Sequence, residues 1–225
     1  MKYAYDLHIH SVLSPCGDVL MTPNNIFNMA SLKQLNIISV TDHNSLKQIP
    51  VCYELSKSYD FLFIPGVEIT VKEGFDVLCY FKHIEEAMQF DHILETYLPK
   101  QTYDTDYYGE QWMCNIDDEV VEMYPYLLAT PLELGIENLI DVLKPFDYIL
   151  IYAHMDKKSR SGLAYTQSYP LDGFEYRNPD LKKHNNDLYN SDAHQIIDIL
   201  EVGQPNQIEL DTLSIEAFFR YFGHD

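Results

Sequence analysis

Short apolar runs alternate with helical patterns along the chain. Five runs that are nearly continuous in apolar and β-branched residues predict strands, at 3–8, 36–41, 61–65, 77–81 and 148–153. Continuous rather than alternating hydrophobicity indicates strands buried on both faces, as in a parallel sheet covered by helices. The pattern therefore predicts an α/β fold in a single domain over residues 1–225.

The intervening segments carry helix signals. Thr22 and Pro23 predict an N-cap followed by a first-position proline, and apolar residues then recur at helical spacing. Further helices are predicted at 46–59, 84–97, 136–143 and 214–222. Each of these patterns lies between predicted strands or at the end of the chain.

Residues 99–135 interrupt this alternation. The segment is rich in Tyr, Asp and Glu and contains the only tryptophan, Trp112. Runs at 112–116 and 120–124 flank an acidic turn, which predicts a hairpin. We interpret the segment as an insertion or lid over a site rather than a second domain.

Metal-ligating residue types follow the apolar runs repeatedly. His8 and His10 lie two residues apart on a strand, so both side chains point to one face, and Asp192 and His194 repeat that spacing. Such residues also end or follow four other segments: Asp42 and His43, Glu68, Asp76, and His154. Five or six ligand-bearing strands favour a closed βα barrel over an open sheet. Several converging His, Asp and Glu side chains indicate a site for more than one metal ion.

Composition restricts the partners. The formal net charge is −20, which argues against binding long nucleic acid but leaves small anionic substrates open. No apolar run is long enough to cross a membrane, and the start of the chain lacks the pattern of a signal peptide. Four cysteines without CxxC spacing are typical of a reduced, cytoplasmic protein.

The ordered motifs resemble those of the PHP (polymerase and histidinol phosphatase) superfamily. They are Asp-Leu-His-Ile-His from Asp6, Val-Thr-Asp-His-Asn from Val40, Pro-Gly-Val-Glu-Ile from Pro65, Ala153-His154 and Ser-Asp-Ala-His from Ser191. The resemblance implies a distorted (β/α)7 barrel with a phosphoesterase site of two or three divalent metals (zinc, manganese or iron). It implies that His8, His10, Glu68 and Asp192 hold the first metal, that Glu68 and His154 hold a second, and that His43 and His194 hold a third.

Two positions depart from the family pattern. Cys16 and Asp76 stand where many members have histidine, and both residue types can still bind metal. Asp18 is the competing candidate for the position of Cys16. Asp6 and Asp42 each lie beside a predicted histidine ligand, so we expect them to accept a ring N–H and fix its tautomer.

The expected activity is hydrolysis of a small phosphomonoester or nucleotide by metal-activated water, with Asp192 in the catalytic centre. His194 or His43 could protonate the leaving oxygen if the third metal is absent. The group of Lys157, Lys158 and Arg160, or alternatively Arg177, could clamp a substrate phosphate. Two alternatives stay open: a non-catalytic metal-binding regulatory domain, and an exonuclease on short oligonucleotides that uses aromatic residues in 103–112 to stack bases.

Overall fold

The computed structural model describes residues 1–224 as a mixed α/β single-domain fold. The strands are β1 (Lys2–Ile9), β2 (Ile37–Val40), β3 (Leu62–Phe63), β4 (Gly66–Thr70), β5 (Asp76–Phe81), β6 (Trp112–Cys114), β7 (Val120–Met123), β8 (Tyr148–Tyr152), β9 (Gly173–Tyr176), β10 (Leu188–Tyr189) and β11 (Gln207–Glu209). The α-helices are α1 (Pro23–Leu32), α2 (Ile49–Ser56), α3 (Ile84–Tyr97), α4 (Thr105–Tyr108), α5 (Ile136–Leu143) and α6 (Ile215–Tyr221).

The strands form two larger sheets and a hairpin. The first sheet has the order β11-β1-β2-β3 and the second the order β10-β9-β8-β5-β4. Most neighbours are parallel, but β5 runs antiparallel to both β4 and β8, and β11 runs antiparallel to β1. The expectation of a purely parallel sheet is therefore wrong. The turn between β4 and β5 is too short to contain the crossover that a parallel pair requires.

Two isolated bridges join the sheets where the polar residues gather. Ile9 pairs with Ala193, and His43 pairs with Glu68, both in parallel orientation. Over residues 1–224 the pairing does not amount to a continuously hydrogen-bonded closed barrel. The (β/α)7 barrel consequently stays a prediction, whereas the mixed α/β class is observed.

The central strands are buried on both faces, as their continuous hydrophobicity predicts. Alternate residues of β1, β5 and β8 fill one apolar cluster that includes Leu7, Leu78 and Ile151. Ile9 belongs to the other cluster, which packs against the helices. The pairing of β1 with β2 shifts register between Asp6 and Ile9, and such an irregularity re-aims the side chains that follow it.

Residues 99–135 contain α4 and the antiparallel pair β6–β7, and they pack against the loop after β1. The Trp112 N–H donates to the Val12 carbonyl (2.9 Å). Gly109 has a positive φ of 94°, and a Cβ there would lie 2.1 Å from the Pro15 carbonyl oxygen. Only glycine permits this close approach of two backbones.

The start of α1 only partly follows the sequence pattern. The Thr22 hydroxyl does not cap α1, because it donates to Asp118 of the insertion (2.5 Å). Pro23 does begin the helix. Among residues 1–224, every helix is too short or too polar to span a bilayer.

Candidate metal centre

His8 and His10 present their Nε2 atoms to a common point. The two Nε2 atoms lie 3.1 Å apart. The Nδ1 of His8 lies 2.9 Å from Glu175, and the Nδ1 of His10 lies 3.0 Å from the Ser14 hydroxyl. Because the Nδ1 atoms are engaged elsewhere, both rings are fixed with Nε2 directed into the site.

Glu68, near the middle of β4, is the centre of the cluster. Its Oε1 lies 3.4 Å from His8 Nε2 and 3.0 Å from His154 Nε2. Its Oε2 lies 3.4 Å from His10 Nε2 and 2.8 Å from His43 Nδ1. A buried carboxylate with a different histidine on each side has the arrangement of a bridging ligand.

Asp192, in the segment after β10, contacts both members of the histidine pair. Its Oδ1 is 3.4 Å from His8 Nε2 and 3.3 Å from His10 Nε2. Its backbone has a positive φ of 52°, which is uncommon for a residue other than glycine and typical of functional sites. Lys157 donates to its Oδ2, and Arg177 lies 3.7 Å from the same oxygen.

Asp76 and His154 form the second side of the site. Asp76 begins β5, and because β5 is antiparallel to β8 its start lies beside the end of β8. Its Oδ1 accepts from the Thr70 hydroxyl (2.6 Å), and its Oδ2 lies 3.4 Å from His154 Nε2. Glu68, Asp76 and His154 offer ligand atoms within 4.8 Å of one another.

Cys16 joins the third side with three histidines. Its thiol and one ring nitrogen from each of His10, His43 and His194 all lie within 4.8 Å of one another. Asp18, the competing candidate, is exposed, and its carboxylate accepts from the Leu20 backbone N–H (2.9 Å). The structure thus brings Cys16 into the cluster and leaves Asp18 outside it.

The donor set fits divalent metal ions. Three buried atoms in the cluster have no hydrogen-bond partner: His43 Nδ1, His154 Nδ1 and Glu68 Oε2. His43 Nδ1 and Glu68 Oε2 lie 2.8 Å apart without hydrogen-bond geometry. Unpaired buried polar atoms are costly, and a cation bound between His43 Nδ1 and Glu68 Oε2 would satisfy both of them.

The electrostatics keep the carboxylates ionised. Burial by itself raises the pKa of Asp192, but His8 and His10 outweigh burial and hold that pKa well below its usual range. Burial also opposes ionisation of Glu68, yet His43 and His8 lower its pKa well below normal. Burial likewise raises the pKa of the Cys16 thiol, and His43 and His194 reverse this and lower it to about 6. Carboxylates and a thiolate are the forms that bind metal.

Asp6 and Asp42 do not contact a histidine ring, so the expectation for both is wrong. Asp6 accepts from the Ser191 hydroxyl (2.6 Å) and the Leu200 N–H (2.9 Å). Asp42 accepts from the hydroxyls of Ser11 (2.6 Å) and Ser14 (2.7 Å). Asp42 thus reaches a ring only through Ser14, which contacts His10.

Glu175 is the carboxylate that the motifs did not reveal. It is fully buried in β9, lies 2.9 Å from His8 Nδ1 and accepts from the His154 backbone N–H (2.8 Å). It also accepts from the Asn190 side chain (2.7 Å). The available signal was an acidic residue within the short run Gly-Phe-Glu-Tyr, which carries no metal-site spacing.

A cavity of about 230 Å³ opens beside the cluster. Lys157 and Arg160 line the cavity. Arg177 does not line it, and its guanidinium lies 3.7 Å from Asp192 Oδ2. Arg160 donates to the Ala129 carbonyl (2.8 Å) and lies 3.4 Å from Asp76 Oδ2. The cavity is lined by Cys16, His43, Glu68, Asp76, Ala129, His154, Lys157, Arg160, Asp192 and His194.

Residues 6–208 match the family model of the PHP domain, and the chain therefore belongs to this family. An uncharacterized protein of Methanocaldococcus jannaschii is 31% identical over 77 residues, which cover 31% of this chain and 45% of that protein. The fold is similar to the lesion-specific endonuclease Q of Pyrococcus furiosus (TM-score 0.66, 19% identity, 98% of this chain and 55% of that chain). It is also similar to a candidate metal-dependent phosphoesterase of Bifidobacterium adolescentis (TM-score 0.56, 17% identity, 98% and 96%).

The chain spans about half the length of the M. jannaschii and P. furiosus proteins. The solved structures are under 25% identical and so establish the fold. The family match and the fold together give a PHP-family, phosphoesterase-like hydrolase fold. Its His, Glu and Asp clusters suit divalent metals.

Proposed function

We propose that the protein is a metal-dependent phosphoesterase that hydrolyses a small phosphomonoester or nucleotide. The observation that carries the proposal is Glu68, which belongs to two of the three ligand groups and lies at the wall of a cavity lined by cations. A shared carboxylate beside a cationic pocket suits a phosphoryl group that is bound and polarised at the same place. Metal sites with a purely structural role are, by contrast, closed by protein ligands and do not open to a cavity.

Each ligand group has a defined place in the proposal. His8, His10, Glu68 and Asp192 would hold the first ion; Glu68, Asp76 and His154 would hold the second; and Cys16, His43 and His194 would hold the third. When bound, divalent ions supply Lewis acidity that makes water nucleophilic near neutral pH and neutralises phosphoryl charge. Zinc, manganese and iron all suit these donors.

Lys157 and Arg160 would hold the substrate phosphate. Both line the cavity, and about a third of each side chain is exposed, so their charged ends can reach a bound anion. Their carboxylate partners, Asp192 and Asp76, fix the two cations at the wall of the site. Arg177 is more exposed and lies farther from its carboxylate partner, so we place it at the entrance.

His194 is the group best placed to protonate a leaving oxygen when the third group holds no ion. It lines the cavity, and its side chain is 32% exposed, whereas that of His43 is 8% exposed. Its Nδ1 lies 2.7 Å from the Asp192 carbonyl, which fixes the ring, and the other nitrogen, Nε2, would carry the proton. With a third ion bound, both histidines would act as ligands and water would protonate the product.

The small size of the proposed substrate is supported by the insertion. Residues 99–135 contain eight acidic residues and one basic residue, Lys100, and reach the cavity at Ala129. An acidic wall repels a polyanion more strongly than it repels a single phosphate. We also propose that residues 99–135 act as a lid over the cavity. The proposed protein has no membrane partner.

An exonuclease acting on short oligonucleotides is the second candidate. The exposed rings of Tyr107 and Tyr108, next to the Gly109–Pro15 contact, favour it because bases stack on such rings. The P. furiosus protein that resembles this chain in fold is a lesion-specific endonuclease. The net charge of −20 opposes this candidate.

A substrate panel separates these candidates from a non-catalytic metal-binding domain. The metal-loaded protein would be assayed with phosphomonoesters, nucleotides and short single-stranded oligonucleotides in Mn²⁺, Zn²⁺ or Fe²⁺. We expect turnover of phosphomonoesters or nucleotides and little release from oligonucleotides. No hydrolysis with any metal, despite stoichiometric metal content, would support the regulatory domain instead.

We also propose a barrel architecture and a cytoplasmic location for the protein. The bridges Ile9–Ala193 and His43–Glu68 support a distorted (β/α)7 barrel that closes at the metal end. The four cysteines are free thiols, which supports a reducing, cytoplasmic location.

A further inference from the structure

The three ligand groups differ in the hardness of their donors. The group around Asp76 offers two carboxylates and one imidazole. The group around Cys16 offers one thiol and three imidazoles, and no carboxylate. Soft sulfur favours zinc and similar ions, whereas carboxylate oxygen favours manganese and magnesium.

The Cys16 side chain is held in place by its backbone. The Gly17 N–H donates to the Ser14 carbonyl (2.9 Å), and the Asp18 N–H donates to the His194 carbonyl (2.8 Å). A Cβ on Gly17 would lie 2.4 Å from the Ser11 carbonyl oxygen, so the loop is tightly wound. These contacts tie the loop that carries the thiol directly to the backbone of a neighbouring ligand, and a preformed ligand set costs less to assemble.

The surrounding histidines independently point to a ligand at this place. The side chain of His43 is 92% buried and its Nδ1 has no hydrogen-bond partner. His10 and His194 each use Nδ1 in another contact, with Ser14 and the Asp192 carbonyl, so Nε2 is the nitrogen that each ring can offer to the cluster. One nitrogen of each ring therefore lies within 4.8 Å of the thiol, close enough for all four side chains to share one ion.

We propose that this centre sorts metals by site, with zinc in the Cys16–His43–His194 group and a harder ion, such as Mn²⁺, in the Glu68–Asp76–His154 group. The inference rests on the proposed metal-dependent function and adds to it the identity of the ion at each position. Cys16 is the selecting residue, since replacing its sulfur leaves only imidazoles in the third group. At the second group, the Asp76 carboxylate favours the harder ion over zinc.

Cobalt is the probe for the thiolate. Metal-stripped protein would be titrated with Co²⁺ to reveal a near-ultraviolet thiolate-to-cobalt charge-transfer band, and then loaded from an equimolar Zn²⁺ and Mn²⁺ mixture for metal analysis. The variants are Cys16→Ser, which removes the soft donor, and Cys16→His, which restores a ligand without sulfur. Cys52→Ala is the control, because that thiol is buried in α2 and lies outside the cluster.

The wild type and Cys52→Ala should show the band and take up both metals. Cys16→Ser should lose the band and bind zinc more weakly by more than about tenfold. Cys16→His should also lose the band but keep its metal stoichiometry with a smaller share of zinc. A wild-type protein without the band, or a Cys16→Ser protein with unchanged zinc uptake, overturns the inference.

Phosphomonoester turnover by the same preparations tests the proposed function separately. Turnover without the thiolate band would leave the phosphoesterase standing and remove metal sorting. The band without turnover would keep the metal assignment and remove the phosphoesterase.

Discussion

At the scale of single residues, the site depends on groups that aim the ligands as well as on the ligands. Glu175 binds His8 Nδ1 and the backbone of His154, so it fixes two ligands from a third strand. Residues in this role contribute to metal affinity through ring orientation and ligand basicity. Ser14 has the same position relative to His10, with Asp42 behind it.

Glu175→Gln should weaken metal binding without removing it. The amide keeps the shape of the side chain but loses the charge that faces His8, so we expect an affinity loss of about 10- to 100-fold. Metal titration of the stripped protein measures this, and activity should recover at high metal concentration. Activity that stays lost at saturating metal would show that Glu175 acts in the reaction itself.

The sequence predicted which side chains meet at the candidate site, but not the groups that support them. His8, His10, Glu68, His154 and Asp192 stand in recognisable motifs, and the two-residue spacing of His8 and His10 directs both side chains to one face. Glu175 contacts His8 across 167 positions of sequence, and no local pattern records such a contact. Asp6 and Asp42 lie beside histidines in the sequence but do not contact a histidine ring. Neighbours in sequence need not be partners in space.

At the scale of elements, the direction of β5 is what the sequence left undetermined. A continuous apolar run predicts a buried strand but contains no information on its orientation. The short β4–β5 turn makes the pair antiparallel. The start of β5, where Asp76 lies, is therefore brought to the candidate site. The helices α3 and α5 end where their periodicity predicts, since both present a clear apolar face.

The contact between the insertion and the Cys16 loop depends on Gly109. Gly109→Ala should destabilise the protein by about 1–3 kcal/mol, because the residue has a positive φ and its Cβ would meet the Pro15 carbonyl. Gly74→Ala is the matched control, since Gly74 also has a positive φ but nothing lies near its Cβ. Urea unfolding compares the two. Equal losses would mean that the close approach contributes nothing beyond backbone strain.

The acidic surface of the insertion should exclude polyanions. Asp106→Asn, Asp117→Asn and Glu122→Gln together remove three exposed charges. We expect single-stranded DNA to bind roughly tenfold more tightly at low salt, with phosphomonoester turnover unchanged. The control is Asp60→Asn, Glu137→Gln and Glu209→Gln, which makes the same change in net charge away from the cavity. Equal DNA binding by both triple variants would assign the effect to net charge alone.

At the scale of the whole molecule, stability should depend on pH in a way that metal reverses. Burial lowers the pKa of His154, but hydrogen bonds with Asp76 and Glu68 outweigh burial and raise it from 6.5 to about 9. A raised histidine pKa gives stability that is fully present below pH 6.5 and is lost as pH rises through 9. The loss is on the order of 3 kcal/mol.

Thermal unfolding of metal-stripped protein between pH 6 and 9.5 tests this as a falling Tm. His154→Gln should flatten the profile. With zinc present the trend should weaken or reverse, because metal competes with protons for histidine and binds more tightly as pH rises. A wild-type Tm that falls with pH no more steeply than that of His154→Gln would contradict the assigned pairing.

The central claim is that one carboxylate, Glu68, organises a metal centre that performs hydrolysis. The most direct measurement is metal content and phosphomonoester turnover on the same preparations of wild type and Glu68→Gln. We expect two or three bound ions and turnover in the wild type, with both reduced together in the variant because two ligand groups lose their shared donor. A folded Glu68→Gln protein that keeps its metal and its turnover would contradict the account.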